Sequence, residues 1–127
     1  MSKCTEFCFI VPAVPPTGNT YVRHTKAGGH YKTAAADRFA VLVSAEWNKH
    51  GHGTIVASAY AVDIVIQLKP RAGRRDLDNF CKCGIDALVS AGAITDDSHI
   101  TDLSLHKERA DCDQTIYTIK PLDTVQK

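Results

Sequence analysis

The order of patterns between residues 60 and 91 constrains the fold more than any other feature of the sequence. Apolar side chains alternate with others along Tyr60–Leu68, which predicts a strand with one buried face. Phe80–Ala91 has apolar residues at helical spacing, and Gly92 is a typical helix stop. The predicted apolar side of this helix contains Phe80, Ile85, Leu88 and either Val89 or Gly84. The region therefore predicts a strand, a loop and a helix in that order.

The loop of this unit concentrates charge, because residues 74–79 read Arg-Arg-Asp-Leu-Asp-Asn. Asp76 and Asp78 point the same way if the segment is extended, whereas on a helix they diverge by about 200°. Asp78 falls at the helix start, as its N-cap or just before it, and Lys82 follows one turn later. Carboxylates that share a hard divalent cation, with arginines and a lysine beside them, fit a site that hydrolyses phosphodiesters.

The rest of the chain predicts a small α+β fold, a mixed β-sheet packed with two main helices. Glu6–Val11 alternates as a strand, Pro12–Gly29 is typical of a long loop, and Ala34–Lys49 is typical of an amphipathic helix. Thr33 is its predicted cap and Gly51 its predicted end. Its predicted inward residues are Ala35 or Ala36, Phe39, Leu42, Val43 and Trp47. The last predicted elements are the strands Ile100–Lys107 and Thr115–Lys120, joined by a hairpin turn at Ala110–Asp113.

Length and composition indicate one domain over residues 1–127, with no apolar run long enough to span a membrane. Five cysteines form an odd number without the spacing of a disulfide scaffold, which favours a reducing cytoplasm. The net charge of +1 is uninformative, but its distribution is not. Two basic clusters precede the acids from Asp86 onward, and they are either two solvated charged loops or one surface that faces DNA: Arg23, Lys26 and Lys32, then Lys69, Arg71, Arg74, Arg75 and Lys82.

Several motifs in order resemble the RusA family of Holliday junction resolvases from bacteria and their phages. Arg74–Asn79 and Lys82 are followed by Asp86-Ala87-Leu88, by Ala91-Gly92 and by Asp96-Asp97. The N-terminal stretch Pro15–His24 also resembles the family's Pro-Pro-Ser-x-Asn-x-x-x-Arg-His motif. The resemblance covers nearly the whole chain. The loop departs from it, because Ala72-Gly73-Arg74-Arg75 stands where the family's best-known form has a longer arginine run.

The resemblance implies a metal site and a catalytic lysine. Asp76, Asp78 and Asp97 are the implied ligands of Mg²⁺, with Mn²⁺ as the alternative, and Lys82 is the implied phosphate-facing cation. Asp96 is the neighbour most easily confused with Asp97. The residues expected to contact DNA are Arg74, Arg75, Lys69, Arg71, Asn19, Arg23, His24 and Lys26.

The resemblance also implies a homodimer that cuts branched DNA in the cytoplasm of a bacterial or phage-infected cell. Two strands of a four-way junction are cut symmetrically, and one site does not reach both at once. Two other functions stay open on the residues alone. One is a different metal enzyme acting on flaps, forks or nucleotides, and the other is a DNA-binding module whose acids only form salt bridges.

Several other side chains have structural interpretations. Trp47 lies on the apolar stripe of the first helix and is predicted to be core. Cys81 and Cys83 lack the spacing of a zinc site. His99 is predicted to lie at the surface or behind the ligands, and Asp86, one turn after Lys82, is predicted to pair with it.

Overall fold

A mixed β-sheet with helices on one side forms the centre of the computed structural model. The structure describes residues 6–16, 22–24, 30–32, 34–70 and 80–122, the two three-residue pieces by their backbone only. The strands of this sheet are β1 (Phe7–Val11), β4 (Ala59–Leu68), β5 (Ile100–Arg109) and β6 (Gln114–Leu122), in the spatial order β1-β6-β4-β5. This confirms the predicted α+β class and all the predicted strands of the sheet.

Strand β4 lies inside the sheet because both of its edges are paired. It runs antiparallel to β6 and parallel to β5, and β6 is in turn antiparallel to β1. The alternation read from the sequence is observed, since Tyr60, Val62, Ile64 and Ile66 are buried while the residues between them are half-buried. These buried side chains define the helix side of the sheet, and the opposite face is its open side.

The predicted hairpin between the last two strands is wrong. Strands β5 and β6 do not pair with each other, because β4 lies between them. Residues 110–113 instead cross over the end of β4, where the Ala110 N–H donates to Leu68 O at 2.9 Å. The backbone N–H of Lys69 donates to Asp113 Oδ1 at 2.9 Å on the other side of the crossing. The helical crossover after β4 makes β5 its parallel neighbour, so the turn connects two strands that flank a third.

Two helices of the described residues pack against the helix side of the sheet. Helix α1 spans Ala34–His50 and buries Ala36, Phe39, Val43 and Trp47. Helix α2 spans Cys81–Ser90 and buries Cys83, Gly84, Ala87 and Leu88. Both stripes join the apolar side of the sheet in one core. Trp47 is 2% exposed, which confirms its prediction as a core residue.

The predicted inward side of α1 needs one correction, and that of α2 needs none. Leu42 is 37% exposed, because it lies about 120° around α1 from Ala36, and Phe39, Val43 and Trp47 share the Ala36 side. Ile85 confirms its predicted place on the apolar side of α2, since it is half-buried and packs against the core, about 100° around the helix from Gly84. The predicted helix ends are confirmed: Gly51 and Gly92 follow the two helices with φ of 70° and 77°.

The prediction of a loop over Pro12–Gly29 is also wrong in part. Strands β2 (Val22–His24) and β3 (His30–Lys32) pair antiparallel, with Val22 opposite Lys32. Three-residue strands give too little alternation to be seen in a sequence. Among the described residues, no helix combines the length and apolar character that a membrane span requires.

Candidate active site

The segment that carries most of the predicted site lies outside the described residues. This applies to Arg71, Arg74, Arg75, Asp76 and Asp78, and also to Asn19 and Lys26. Arg23 and His24 belong to β2, where only the backbone is described. The described side chains of the predicted site are therefore Lys69, Lys82 and Asp97, together with the neighbours Asp86, Asp96 and His99.

Both ends of the charged segment are attached to well-packed structure. Its first end follows β4, where the backbone N–H of Lys69 is bonded to the Asp113 carboxylate. Its second end meets Phe80, which is fully buried and occupies the N-cap position of α2. Of the two predicted positions for Asp78, the N-cap is therefore taken by Phe80, which forms no side-chain cap, and the position just before the helix start stays a prediction. The strand β4 and the helix α2 predicted to flank the acids are both present, with the buried Phe80 before the helix.

Lys82 projects from the outer side of α2. Its Nζ lies 3.4 Å from Asp86 Oδ2, and 71% of the Lys82 side chain is exposed, which confirms the predicted pair. An exposed ion pair contributes about 0–1 kcal/mol, so exchanging Asp86 for a phosphate costs little. Lys82 is thus a cation presented to solvent on the first turn of a rigid helix.

The position of α2 on the sheet is set by a buried tyrosine hydroxyl as well as by apolar packing. Tyr117 on β6 is fully buried, and its hydroxyl donates to Gly84 O at 2.8 Å. Burial, and after it the neighbouring Cys83, raises the pKa of Tyr117 well above its ordinary value. The phenol stays protonated and remains a donor. Since Gly84 is two residues after Lys82, this bond fixes the part of α2 that carries the lysine.

Asp97 lies at the other end of the connection from α2 to β5. It begins a 3₁₀ turn, Asp97–His99, which contacts α2, and its side chain is exposed. The preceding Asp96 is the N-cap of this turn, with extended backbone, and its carboxylate accepts a hydrogen bond from the Ser98 hydroxyl. That bond is the largest cause of a lowered pKa for Asp96. The two acids therefore differ, because Asp96 is engaged in holding the turn.

A hydrogen-bond network centred on Tyr60 holds the backbone on which Asp97 is presented. The Tyr60 hydroxyl is buried, donates to Ile55 O and accepts from the Thr95 N–H at 3.3 Å. Ile55 N–H donates to Ala93 O at 2.8 Å, so Ala93 and Thr95, which both precede the turn, are held by hydrogen bonds. His99 adds a contact from Nδ1 to Ser58 O at 3.3 Å and is exposed, which fits the surface position that is one of its two predicted places.

The two tyrosines are positioning residues, and the sequence interpretation missed this role. Both lie at strand positions that the alternation predicts to be buried, and burial of a hydroxyl requires a hydrogen-bond partner. That rule is the available signal. The rule does not identify the hydrogen-bond partner of either hydroxyl. For Tyr60 the partner depends on how the connection from α2 to β5 folds back onto β4, and for Tyr117 it depends on how α2 packs on the sheet.

The described residues alone do not form a metal centre. In the part of the chain that the structure describes, no three side chains of His, Cys, Asp and Glu form a group suited to a metal ion. Asp97 fits the predicted set by chemistry, as an exposed carboxylate on a fixed turn beside α2. The other two predicted ligands, Asp76 and Asp78, lie outside the described residues.

Comparison with known proteins gives one consistent result. The family model described as endodeoxyribonuclease RusA matches residues 12–120. A crossover junction endodeoxyribonuclease from Enterobacteria phage 82 is 30% identical over 99 residues, which cover 73% of this chain and 76% of that protein. The crossover junction endodeoxyribonucleases of Escherichia coli strain K12 and Shigella sonnei strain Ss046 are 29% and 28% identical with the same coverage. The range matched by the family model contains every residue of the predicted site.

Proposed function

The chain belongs to the RusA family of endodeoxyribonucleases, and from this premise we propose that it resolves four-way DNA junctions by paired, symmetric strand cuts in recombination and repair. The observation that carries the proposal is the family match over residues 12–120. This range contains the charged segment and the three proposed ligands, Asp76, Asp78 and Asp97. The relatives in that match are named for cleavage at crossover junctions. In this proposal residues 1–127 act as a single endonuclease domain.

The proposed ligands of a divalent cation are Asp76, Asp78 and Asp97. Carboxylate oxygens are the donors that Mg²⁺ prefers, and Mn²⁺ accepts the same set. When bound, the cation supplies polarisation of the scissile phosphate and acidification of a water. The described geometry supports the role of Asp97, whose turn is fixed by the Tyr60 network and whose side chain is exposed.

Lys82 is proposed to offset the negative charge that grows on the phosphate in the transition state. Its exposed ammonium on the first turn of α2 supports this role, because a weak pair with Asp86 is easily exchanged for a stronger anion. The remaining proposed contacts are to phosphates that flank the cut: Arg74, Arg75, Lys69, Arg71, Asn19, Arg23, His24 and Lys26.

The proposal includes a homodimer. A four-way junction presents two equivalent strands to be cut, and a two-fold symmetric pair of subunits presents two equivalent sites. Light scattering should give about twice the chain mass of 13.8 kDa, and the two cuts should occur on opposing strands. A monomer that resolves junctions fully at every protein concentration would contradict the dimer and leave the nuclease assignment intact.

The decisive experiment is cleavage of an end-labelled four-way junction with and without Mg²⁺. We expect paired nicks on opposing strands with the metal and binding without cleavage in its absence. Linear duplex, a flap, a replication fork and free nucleotides are the matched substrates. Faster cleavage of a flap or fork, or hydrolysis of nucleotides, would assign a different metal enzyme. Binding with no cleavage under any divalent metal would assign a DNA-binding module.

A further inference from the structure

Two basic side chains on edge strand β5 lie outside the site described so far. Lys107 and Arg109 are both exposed and lie near the last residue of β5. This end of β5 is next to the end of β4, after which the charged segment begins. Arg109 is paired with Leu68, the last residue of β4, and Lys69 follows directly. We propose that Lys107 and Arg109 form a second phosphate-binding site, which contacts the backbone of a DNA arm beside the strand being cut. The inference rests on the proposed nuclease function and deepens it.

The register places both side chains on the helix side of the sheet. Lys107 pairs with Ile66 and Arg109 with Leu68, and Ile66 points into the core beneath the helices. Partners in a parallel ladder point to the same side of a sheet. Lys107 and Arg109 therefore face the side on which α2 carries Lys82. Sharing one side of the sheet lets a single DNA backbone contact both groups.

The acid between them points the other way. Glu108 is paired with Gln67, and its Oε1 accepts from Gln67 Nε2 at 2.6 Å on the open side. The preceding His106 faces the same open side, with Nε2 at 3.2 Å from Asp63 Oδ1. Because side chains alternate along β5, Glu108 and His106 lie on the open side of the sheet. Lys107 and Arg109 lie on the helix side.

The spacing suits a nucleic acid backbone. Residues two apart on a strand are separated by about 6.6 Å, and successive phosphates of one DNA strand advance about 3.4 Å along the helix axis. Successive phosphates also rotate about the helix axis, so their direct separation is roughly twice this advance, and two cations at this distance match neighbouring phosphates of one strand. Phosphate contacts of this kind carry position and affinity and no sequence information.

The competing explanation is that the charges protect an exposed strand edge. Long uncovered edges pair with other chains unless charged side chains discourage it, and lysine is the usual choice. The two explanations differ in what a charge reversal does. A glutamate protects an edge as well as a lysine does, but it repels a phosphate.

The experiment measures junction binding by the full-length protein across a salt series, without divalent metal. The variants are Lys107→Ala, Arg109→Ala, the double alanine variant and the double variant Lys107→Glu with Arg109→Glu. The matched control is Lys120→Ala. Lys120 lies near the end of β6 and directly follows the inward-facing Ile119, so its side chain is on the open side of the sheet. We expect each alanine substitution to lower the salt slope by about 1, the double substitution by about 2, and the control to change nothing.

The double glutamate variant should bind more weakly than the double alanine variant, and the loss should be equal for junctions of different sequence. Unchanged salt slopes in both double variants would overturn the second phosphate site. The site would also be overturned if the alanine variants aggregate while the glutamate variant behaves as the parent does. The two proposals fail separately, since a parent protein that binds and cuts junctions while these variants match it leaves the nuclease function standing.

Discussion

The two described parts of the candidate active site are held in place by different forces. Lys82 stands on a regular helix, whose inner side is buried against β4 and β6 and which is further fixed by the Tyr117 hydroxyl. Asp97 stands on a short irregular turn. The residues before the turn are bonded to Tyr60 and Ile55, and the side chain of its last residue, His99, contacts Ser58 O. One position rests on apolar packing and the other on a polar network.

The difference determines how each region responds to substitution. Apolar packing is spread over many contacts and tolerates small changes of shape. A polar network is less tolerant, because losing one member leaves its partners without a hydrogen bond. We therefore expect the lysine region to absorb conservative changes and the Asp97 region to be sensitive to single atoms.

The largest effect is expected from Asp97→Asn, which should lower single-turnover cleavage by at least about 100-fold, since even residues that only orient a metal ligand contribute about 10–100-fold. Junction binding should survive, because the change removes one negative charge near DNA. Asp96→Asn is the matched control and should do much less, as that carboxylate is bonded to Ser98. The opposite ranking of the two variants would move the ligand assignment to Asp96.

Lys82→Ala should follow, with single-turnover cleavage reduced roughly 100-fold, the size expected when one group that stabilises developing charge is lost. Binding should change little, because the cation acts mainly in the transition state. Asp86→Asn removes its partner and keeps the ammonium, so this control should cleave at nearly the parent rate. If Lys82→Ala binds poorly and cleaves normally once saturated, Lys82 is a docking residue.

The comparison is tested directly by removing one tyrosine hydroxyl from each region. Tyr60→Phe should lower the free energy of unfolding by about 1–3 kcal/mol, because Ile55 O and the Thr95 N–H both lose their partner. Tyr117→Phe should cost about 0.5–1.5 kcal/mol, since Gly84 O also accepts a bond inside the helix. Urea unfolding measures both. Equal costs, or a larger cost for Tyr117→Phe, would contradict the proposed contrast.

A smaller effect of opposite sign is expected from Gly84→Ala. The added Cβ would lie 3.6 Å from Pro15 Cγ, 3.6 Å from the Tyr117 hydroxyl and 3.8 Å from Ile64 Cδ1, all ordinary contact distances. Alanine favours a helix over glycine by about 0.8–1.0 kcal/mol, so the variant should be slightly more stable. Gly92→Ala is the control and should destabilise, because its φ of 77° disfavours a side chain. Thermal unfolding compares the two.

The smallest expected effect is electrostatic. Ser98→Ala removes the main cause of the lowered pKa of Asp96 and should return it towards the ordinary value of 3.8. Because the folded pKa is depressed, the stabilising contribution is present above 3.8 and is lost as the pH falls through the lower folded value. Carboxyl NMR titration of parent and variant checks this. An unchanged Asp96 pKa in the variant would remove Ser98 as its cause.

Apolar periodicity accounts for most of the fold that can be predicted. Alternation predicts β4 and helical spacing predicts α2, because burial on one side is written directly into residue order. Residues off the stripe are harder, and Leu42 is predicted to face inward although it lies on the exposed flank of α1. The predicted hairpin is wrong because pairing depends on which strand the helix crossover returns to, and local sequence does not record that.

In the candidate site, too, local contacts can be predicted from the sequence and long-range contacts cannot. The pair of Lys82 with Asp86 follows from the four-residue spacing on a helix, and the structure confirms it. The backbone before Asp97 is anchored by the bond between Tyr60 and Thr95. These two residues are 35 positions apart in the sequence, so no local pattern predicts the bond. The metal set and the arginine contacts stay predictions, because most of their residues lie outside those that the structure describes.

The crossing of residues 110–113 over the end of β4 has a consequence for the order of folding. Strands β5 and β6 are close along the chain and antiparallel, so a direct hairpin between them would be the most local pairing of these strands, and the native sheet does not contain it. The native sheet requires β4 to occupy the space between them, which needs contacts over a much greater sequence separation. Reaching the native sheet thus requires that β5 and β6 are not paired with each other when β4 takes its place between them.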